Sequence, residues 1–277
     1  MIKICYTERN NLGDAINPLI LDRVLGCEFQ RTDEYECDMT GIGSGLRRFF
    51  VNQSSLKKWK GIKKFVNGRR HTAPVILWSA GFLTSAVDKE LLLRKNVLVA
   101  SVRGELSKQR VEGVLGKKLD ATTGDAGLLC SELIKEKVNK KYRLGIIPHD
   151  REREEEEYFR IQEETKDSVI IDVRKDPMEM LRLMAECECI ISSSLHGLII
   201  ADSFHIPNKQ VILTDKLAGD GFKFRDYYSC FGLEQNAQDL RIDRNIDIDK
   251  IIGEYPVSYD AVEQKKIEIV DAFKRYL

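Results

Sequence analysis

The sequence predicts an α/β fold of two Rossmann-like domains facing each other across a cleft. Two observations carry that expectation. Short apolar runs alternate with helical patterns along the chain, which is the signature of a parallel sheet covered on both faces. The length, 277 residues, suffices for two domains of ordinary size, and 43% hydrophobic residues supply a substantial core. The expected division is 1–140, 141–257, and a C-terminal helix, 258–277, packing back across the cleft.

In the first half, MIKICYT (1–7) reads as a strand, and a helix is expected from Asp14 onward, marked by Ala15, Pro18, Leu19 and Leu25. PVILWSA (74–80) and NVLVASV (96–102) are further strands. The second of these runs directly into Arg103-Gly-Glu-Leu-Ser107 and a helix. The second half is more regular. YRLGIIPH (142–149) is an apolar run bounded by Pro148 and reads as a buried strand. The charged stretch 151–164 is expected as an exposed helix with partial charge pairing, and SVIIDV (168–173) as the next strand. Asp176 caps and Pro177 opens a helix in which Met178, Leu181, Met184 and Ala185 fall at helical spacing. ECIIS (188–192) is a third strand, LHGLIIADSF (195–204) a helix and KQVILT (209–214) a fourth strand.

Acidic and basic side chains balance at 44 each, so net charge argues for no polyanionic partner, and no nucleic acid is expected. The charge is nevertheless segregated. No acidic residue lies between Asp38 and Asp88, while Arg47, Arg48, Lys57, Lys58, Lys60, Lys63, Lys64, Arg69 and Arg70 accumulate there, interleaved with Phe49, Phe50, Trp59 and Phe65. Two readings stay open: a solvated basic face with the aromatics in the core, or a surface for an anionic, membrane-borne substrate at the inner membrane face. Seven cysteines, with Cys187-x-Cys189 the only close spacing, fit neither a disulfide framework nor a zinc site. They are expected as small core hydrophobes in a reducing cytoplasm, with a reactive thiol at Cys187 or Cys189 as the sharper alternative. The N-terminus lacks the apolar core of a signal peptide and no run approaches 18 apolar residues, so a cytoplasmic location is expected.

SSSLHGLIIADSFHIP (192–207) places three serines, a histidine and a glycine where a strand turns into a helix. In a parallel sheet, ligands gather beyond the carboxyl ends of the strands. A helix beginning near Leu195 leaves backbone N–H groups unpaired at the positive end of its dipole. Ser192, Ser193 and Ser194 can cap those groups or donate hydroxyls to an oxyanion, and Gly197 would let a ligand approach the backbone, a cradle for phosphate or carboxylate. His196 is then expected beside the anion, titrating near neutrality as an acid/base group. The plainer reading is an ordinary capped helix with a half-buried histidine. His205, before Pro207, is expected as a partner of the C-terminal dipole.

The same stretch resembles the (R/S)xHGxxxAxxxxIP-type signature of the polysaccharide pyruvyl transferase family. Other blocks resemble the family's in their order: Asn11-Leu-Gly-Asp14-Ala-Ile-Asn17, the glycine loop Gly41-Ile-Gly-Ser-Gly45, Val102-Arg103-Gly-Glu-Leu-Ser107 followed by Gly124-Asp125-Ala-Gly-Leu-Leu, Ile147-Pro148-His149, and Lys223-Phe-Arg-Asp226-Tyr-Tyr. Each is a weak signal alone, and the loop 41–45 does not meet the spacing of a dinucleotide fingerprint. Together, in order and over most of the chain, they are specific. The resemblance implies two Rossmann-like domains arranged as in the B-type glycosyltransferases. It also implies a reaction, transfer of the enolpyruvyl unit of phosphoenolpyruvate to a sugar of a surface or exopolysaccharide precursor, forming a pyruvate ketal and releasing phosphate. The acceptor sugar can be lipid-linked, and no metal or organic cofactor is implied beyond the donor.

On this resemblance the catalytic candidates are His196 as acid/base, Arg103 as a fork for the donor's carboxylate or phosphate, and His149 as second acid/base or donor contact. Ser193, Ser194 and Gly197 would hold the phosphate. Asn11, Asp14 and Asn17 would grip the acceptor sugar, and Lys223 with Asp226 would line the cleft from the second domain. Plainer roles stand beside these: a capping or surface arginine, a structural His149, an N-cap at Asp14, a surface pair at Lys223 and Asp226. Many members carry arginine where this chain has Ser194, so one charge-assisted clamp is missing and Arg103 or Lys223 is expected to replace it. Two other functions remain compatible with the fold: a nucleotide-sugar-dependent glycosyltransferase, and a non-catalytic anion- or glycan-binding protein.

Overall fold

Two parallel sheets of five strands each organise the computed structural model, which describes residues 1–7 and 12–276. The strands of the first half are β1 (Ile2–Cys5), β2 (Phe29–Arg31), β3 (Met39–Thr40), β4 (Phe50–Asn52), β5 (Val75–Leu77), β6 (Glu90–Leu92), β7 (Val97–Val99), β8 (Ser101–Val102) and β9 (Thr122–Thr123). Those of the second are β10 (Tyr142–Ile147), β11 (Ser168–Ile170), β12 (Cys187–Ser192), β13 (Asn208–Ile212) and β14 (Ala237–Asp239). The helices are α1 (Leu12–Leu19), α2 (Trp59–Arg70), α3 (Glu105–Leu115), α4 (Glu156–Glu164), α5 (Pro177–Ala185), α6 (Leu195–Ser203), α7 (Phe222–Ser229), α8 (Ile248–Gly253) and α9 (Tyr259–Lys274).

The first sheet has the order β2-β1-β3-β5-β7 and the second β11-β10-β12-β13-β14. Their central strands are apolar on both faces, as β12 shows with Cys189, Ile190 and Ile191 all buried, because helices cover both sides. The register of β10 on β12 runs from Tyr142 opposite Cys187 to Ile147 opposite Ser192. An α/β fold with parallel sheets is thus what the alternation of apolar runs and helices predicts.

Several boundaries differ from the expected ones for local reasons. The strand expected at 96–102 breaks at Ala100, because Val97–Val99 pairs with β5 and Ser101–Val102 with β9. The helix expected at 151–164 begins only at Glu156. The Glu152 carboxylate is drawn inside, where it accepts from the Thr214 amide at 3.0 Å and the Tyr158 hydroxyl at 3.2 Å, so the chain turns before it can coil. In α1, Pro18 has no N–H for the Asp14 carbonyl; the Asn17 side-chain amide donates to it instead at 3.3 Å, and the helix then widens into a π turn, Ile20–Val24. Asp176 caps α5 as expected, accepting from the amides of Met178 and Glu179, both at 3.0 Å.

One hydrophobic core draws on both halves. Ile4, Met39 and Trp78 from the first and Ile147, Leu198 and Tyr227 from the second belong to the same buried cluster, with the 3-10 segment Ala126–Leu133 against α6 and α9 within it. Helix α9, capped by the Ser258 hydroxyl, returns to the first half. There the Trp78 indole donates to the Ile269 carbonyl at 3.1 Å and its ring meets Phe273 at 4.9 Å between centroids. All seven cysteines are free and buried. Burial pushes the thiols of Cys187 and Cys189 up to about 12, so neither is a ready nucleophile and the reactive-thiol alternative falls. Among the described residues no helix is long and apolar enough to cross a membrane.

Candidate active site

The carboxyl ends of the two sheets meet at a cavity of about 680 Å³. The loops after β1 and β3 contribute Thr7, Gly43 and Ser44, and α1 adds Asp14. From the second half come His149 and Arg151 after β10, Arg174 after β11, Ser194 and His196 after β12, and Lys223 at the start of α7. This is where the parallel-sheet rule puts a ligand.

At the head of α6 the N-cap, Ser194, makes no side-chain cap; its own amide is held at 2.9 Å by the Ser192 hydroxyl. The first-turn amides of α6 therefore receive no side-chain cap from Ser194 and carry the positive end of the dipole, at a cavity that Ser194, Leu195 and His196 line. The His196 ring lies flat on the backbone of α1: a Cβ at Gly13 would overlap its Nδ1 and Cε1 atoms. Its Nε2 is buried with no hydrogen-bond partner. Burial, then the charges of Arg103 and Lys223, pull this imidazole down to about 3, well below the near-neutral titration expected from the sequence.

His149 is turned by Pro148 out of β10. Its amide donates to Ser193 Oγ at 2.9 Å, and its Nδ1 accepts from the Arg151 amide at 3.2 Å, which leaves Nε2 as the nitrogen that carries hydrogen in the neutral ring. Burial and then Lys223 lower it to about 4. Lys223 stands with its ammonium 5.0 Å from the Phe224 ring centroid, and burial followed by Arg103 lowers it to about 8. For all three groups burial is the larger cause of the shift, and the neighbouring positive charges add to it.

Arg103 is placed differently from the expectation. Its guanidinium is 0% exposed and its donors are committed, Nε to Asp226 at 3.0 Å, Nη1 to Ser44 Oγ at 3.0 Å and Nη2 to the Phe82 carbonyl. Asp226 in turn accepts from the Ser107 amide at 2.7 Å and the Ser107 hydroxyl at 2.6 Å. A Cβ at Gly104 would overlap the Asp226 carbonyl. The blocks Arg103-Gly-Glu-Leu-Ser107 and Lys223-Phe-Arg-Asp226 are therefore two halves of one buried clamp.

Residues 6–208 match the family model for polysaccharide pyruvyl transferase. The chain belongs to that family. It is also 36% identical over 143 residues to an uncharacterized protein, L143, of Acanthamoeba polyphaga mimivirus; the match covers 49% of this chain and 48% of that protein, so the chain spans about half the length of this relative. No solved structure matches it.

In this polysaccharide pyruvyl transferase family member the cavity gathers His196, His149, Ser194, Asp14 and Lys223, while five expected contacts lie elsewhere, Asp226 among them in the buried clamp. Arg103 cannot reach a ligand, for the reasons just given. Ser193 is fully buried, and its hydroxyl serves the His149 amide and the Tyr158 hydroxyl, the latter at 2.9 Å. Gly197 faces the sheet, where a Cβ would overlap Ser192 Oγ; its smallness lets α6 sit against β12. Asn17 is buried and holds the glycine loop, accepting from the Ile42 amide at 2.7 Å. Gly41 makes room for it. Asn11 lies outside the described residues. His205, expected as a partner of the α6 dipole, lies two residues past the end of that helix and instead pairs through Nε2 with Glu263 at 2.9 Å.

Arg151, Arg174, Thr7 and Ser44 line the cavity and were not anticipated from the sequence. Arg151 reads as part of a charged helix until Glu152 is seen to turn inward. The available signal was position: Thr7, Arg151 and Arg174 each follow the carboxyl end of a strand in β1, β10 and β11.

Proposed function

We propose that the chain transfers the enolpyruvyl unit of phosphoenolpyruvate to a pair of sugar hydroxyls, forming a pyruvate ketal and releasing phosphate. The observation that carries this reading is the unbalanced positive charge of the cleft. Lys223 and Arg151 have no carboxylate within ion-pair distance among the described residues, two histidines are held neutral beside them, and the uncapped head of α6 opens on the same space. An anion with two charged groups suits that set of groups.

In this reading the donor's phosphate sits at the head of α6 and its carboxylate on Lys223 and Arg151. Its charge offsets that of Arg103 and Lys223, so the pKa of His196 rises and the ring takes up a proton as the donor binds. His196 then gives that proton to the methylene carbon, which becomes methyl and leaves an oxocarbenium-like centre at C2. A sugar hydroxyl, aligned by Asp14, Thr7 and Ser44, attacks C2 and yields its proton to the neutral imidazole of His196 or His149. The C2–O bond to phosphate breaks, a second hydroxyl closes the ketal, and its proton leaves with phosphate. Asp14 offers an acceptor for sugar hydroxyls on the wall opposite the cations.

The test is a screen of sugar acceptors with phosphoenolpyruvate, read by phosphate release and by the mass of the sugar product. The expected product gains the mass of a pyruvate ketal. A product that gains a glycosyl unit from a nucleotide sugar would replace this reading with the glycosyltransferase. Thermal protection by phosphoenolpyruvate without turnover on any acceptor would favour the binding protein.

A further inference from the structure

Helix α2 is amphipathic in the reverse of the usual sense. The residues nearest the body of the protein are Gly61, where a Cβ would overlap the Ser55 carbonyl, and Gly68, where it would overlap Leu93. At about 100° per residue these two glycines share one side of the helix, and Trp59, Lys63, Val66 and Arg70 share the opposite side, with Ile62 beside them. Trp59 is 78% exposed, Val66 46% and Ile62 39%. A surface helix ordinarily buries such residues and shows its small or charged ones. Phe49 and Phe50 of the same basic segment are buried, so the expectation that the aromatics belong to the core holds for them and fails for Trp59.

The charge around this stripe is mostly positive, with Glu34 and Asp88 the acidic groups at its margin. From Met39 to Val87 the chain has no carboxylate side chain. Arg47, Lys58, Lys60, Lys63 and Arg70 form no ion pair with any described residue; Lys64 alone of the helix lysines has one, with Glu34 at 3.5 Å. The stripe and these cations border a groove of about 910 Å³, separate from the catalytic cleft.

We infer that the outer face of α2 seats the protein on an anionic lipid bilayer, with Trp59, Ile62 and Val66 entering the headgroup–acyl boundary and the surrounding lysines and arginines meeting lipid phosphates. The combination selects this partner. A nucleic acid would satisfy the cations and offer nothing to the aliphatic side chains, whereas a bilayer surface is anionic at its headgroups and apolar just beneath. Tryptophan is at home at that boundary, with an apolar body and a polar N–H.

The two tryptophans make the test direct. Trp78 is fully buried and hydrogen-bonded, so a change in emission on binding reports Trp59. The full chain is mixed with vesicles of phosphatidylcholine alone and of phosphatidylcholine with phosphatidylglycerol, and sedimentation and emission are read together. Binding and a blue shift are expected only with the anionic vesicles. Lys63→Glu with Arg70→Glu should weaken that binding at least about tenfold, and Trp59→Ala should weaken it and abolish the shift; both changes lie at exposed positions, and the melting temperature checks the fold. Four results would overturn the inference: no binding to anionic vesicles, equal binding to neutral ones, binding without a blue shift, or a shift that develops with protein concentration alone, which would assign the stripe to a second copy. A fifth would do the same: single-stranded DNA or polyphosphate that displaces the protein from the vesicles and itself produces the shift. Turnover is not read, so the outcome is independent of the reaction proposed for the cleft.

Discussion

Every imidazole and every cation lining the cleft, His149, Arg151, Arg174, His196 and Lys223, comes from the second wall, where Asp150 pairs with Arg174, whereas the first wall offers Thr7, Asp14, Ser44, a glycine and two leucines. Both walls sit at carboxyl ends of parallel strands, so the topology is the same and only the furnishing differs. Concentrated on one side, the cations make a seat for an anion, and the hydroxyls and carboxylate opposite suit a neutral polyol. The first half supplies two cations to the neighbourhood: Arg48, which donates to Thr7 Oγ1 at 3.1 Å, and Arg103, buried against Asp226 from the second half, where it acts through its field and as a bolt between the halves.

The largest expected effect breaks the second wall. His196→Gln should lower turnover about 10²–10⁴-fold, the usual worth of a positioned acid/base group, while the melting temperature stays near that of the parent; near-normal phosphate release by a folded variant removes His196 from the chemistry. Cutting the bolt comes next. Asp226→Ala strands the Arg103 charge in the interior and should cost about 3–5 kcal/mol in denaturant unfolding; a loss within error would show that the guanidinium finds water. Gly13→Ala sharpens the comparison from the first wall, because the new methyl must push the His196 ring aside. A displacement of that kind should lower turnover by up to about 10²-fold with donor half-saturation less affected. Lys223→Met should raise the half-saturation for phosphoenolpyruvate about tenfold, since it deletes one charge-assisted contact; an unchanged value assigns the donor to Arg151 and Arg174.

The smallest effect is a slope. His196 and His149 are held at about 3 and about 4 in the folded chain, and an unfolded histidine titrates at about 6.5. Between about 6.5 and about 4 the unfolded state binds more protons, so stability falls as pH falls through that window, by up to about 1.4 kcal/mol per pH unit for each histidine. His196→Gln should flatten part of that slope. Proton uptake on donor binding, measured in buffers of different ionisation heat, should be positive in the parent and reduced in the variant.

How much of this was legible in the sequence follows from the range of the interactions. The strands of the second half and the cap at Asp176 are local patterns, and they stand within a few residues of where the sequence puts them. His196 at a strand-to-helix turn is local too, and it lines the cleft. Arg103 was misjudged because the group that claims it lies 123 residues further on. Gly197 was read as room for a ligand, but the atom that needs the room belongs to the strand just before it, and nothing in the spacing distinguishes the two. Helix α2 lacks a conventional apolar stripe on its inner side, so periodicity does not announce which side faces in. The antiparallel ribbon of β4 with β6, only three residue pairs long, is too short to show.

The clamp around Asp226 has a consequence for how the molecule comes into being. A ribosome delivers Arg103, Gly104 and Ser107 long before Asp226, so the Arg103 guanidinium must stay in water while more than a hundred further residues are made. Ser44, tethered to that guanidinium, waits with them. A chain released before α7 would lack both the carboxylate that holds Arg103 and the Lys223 that lines the cavity.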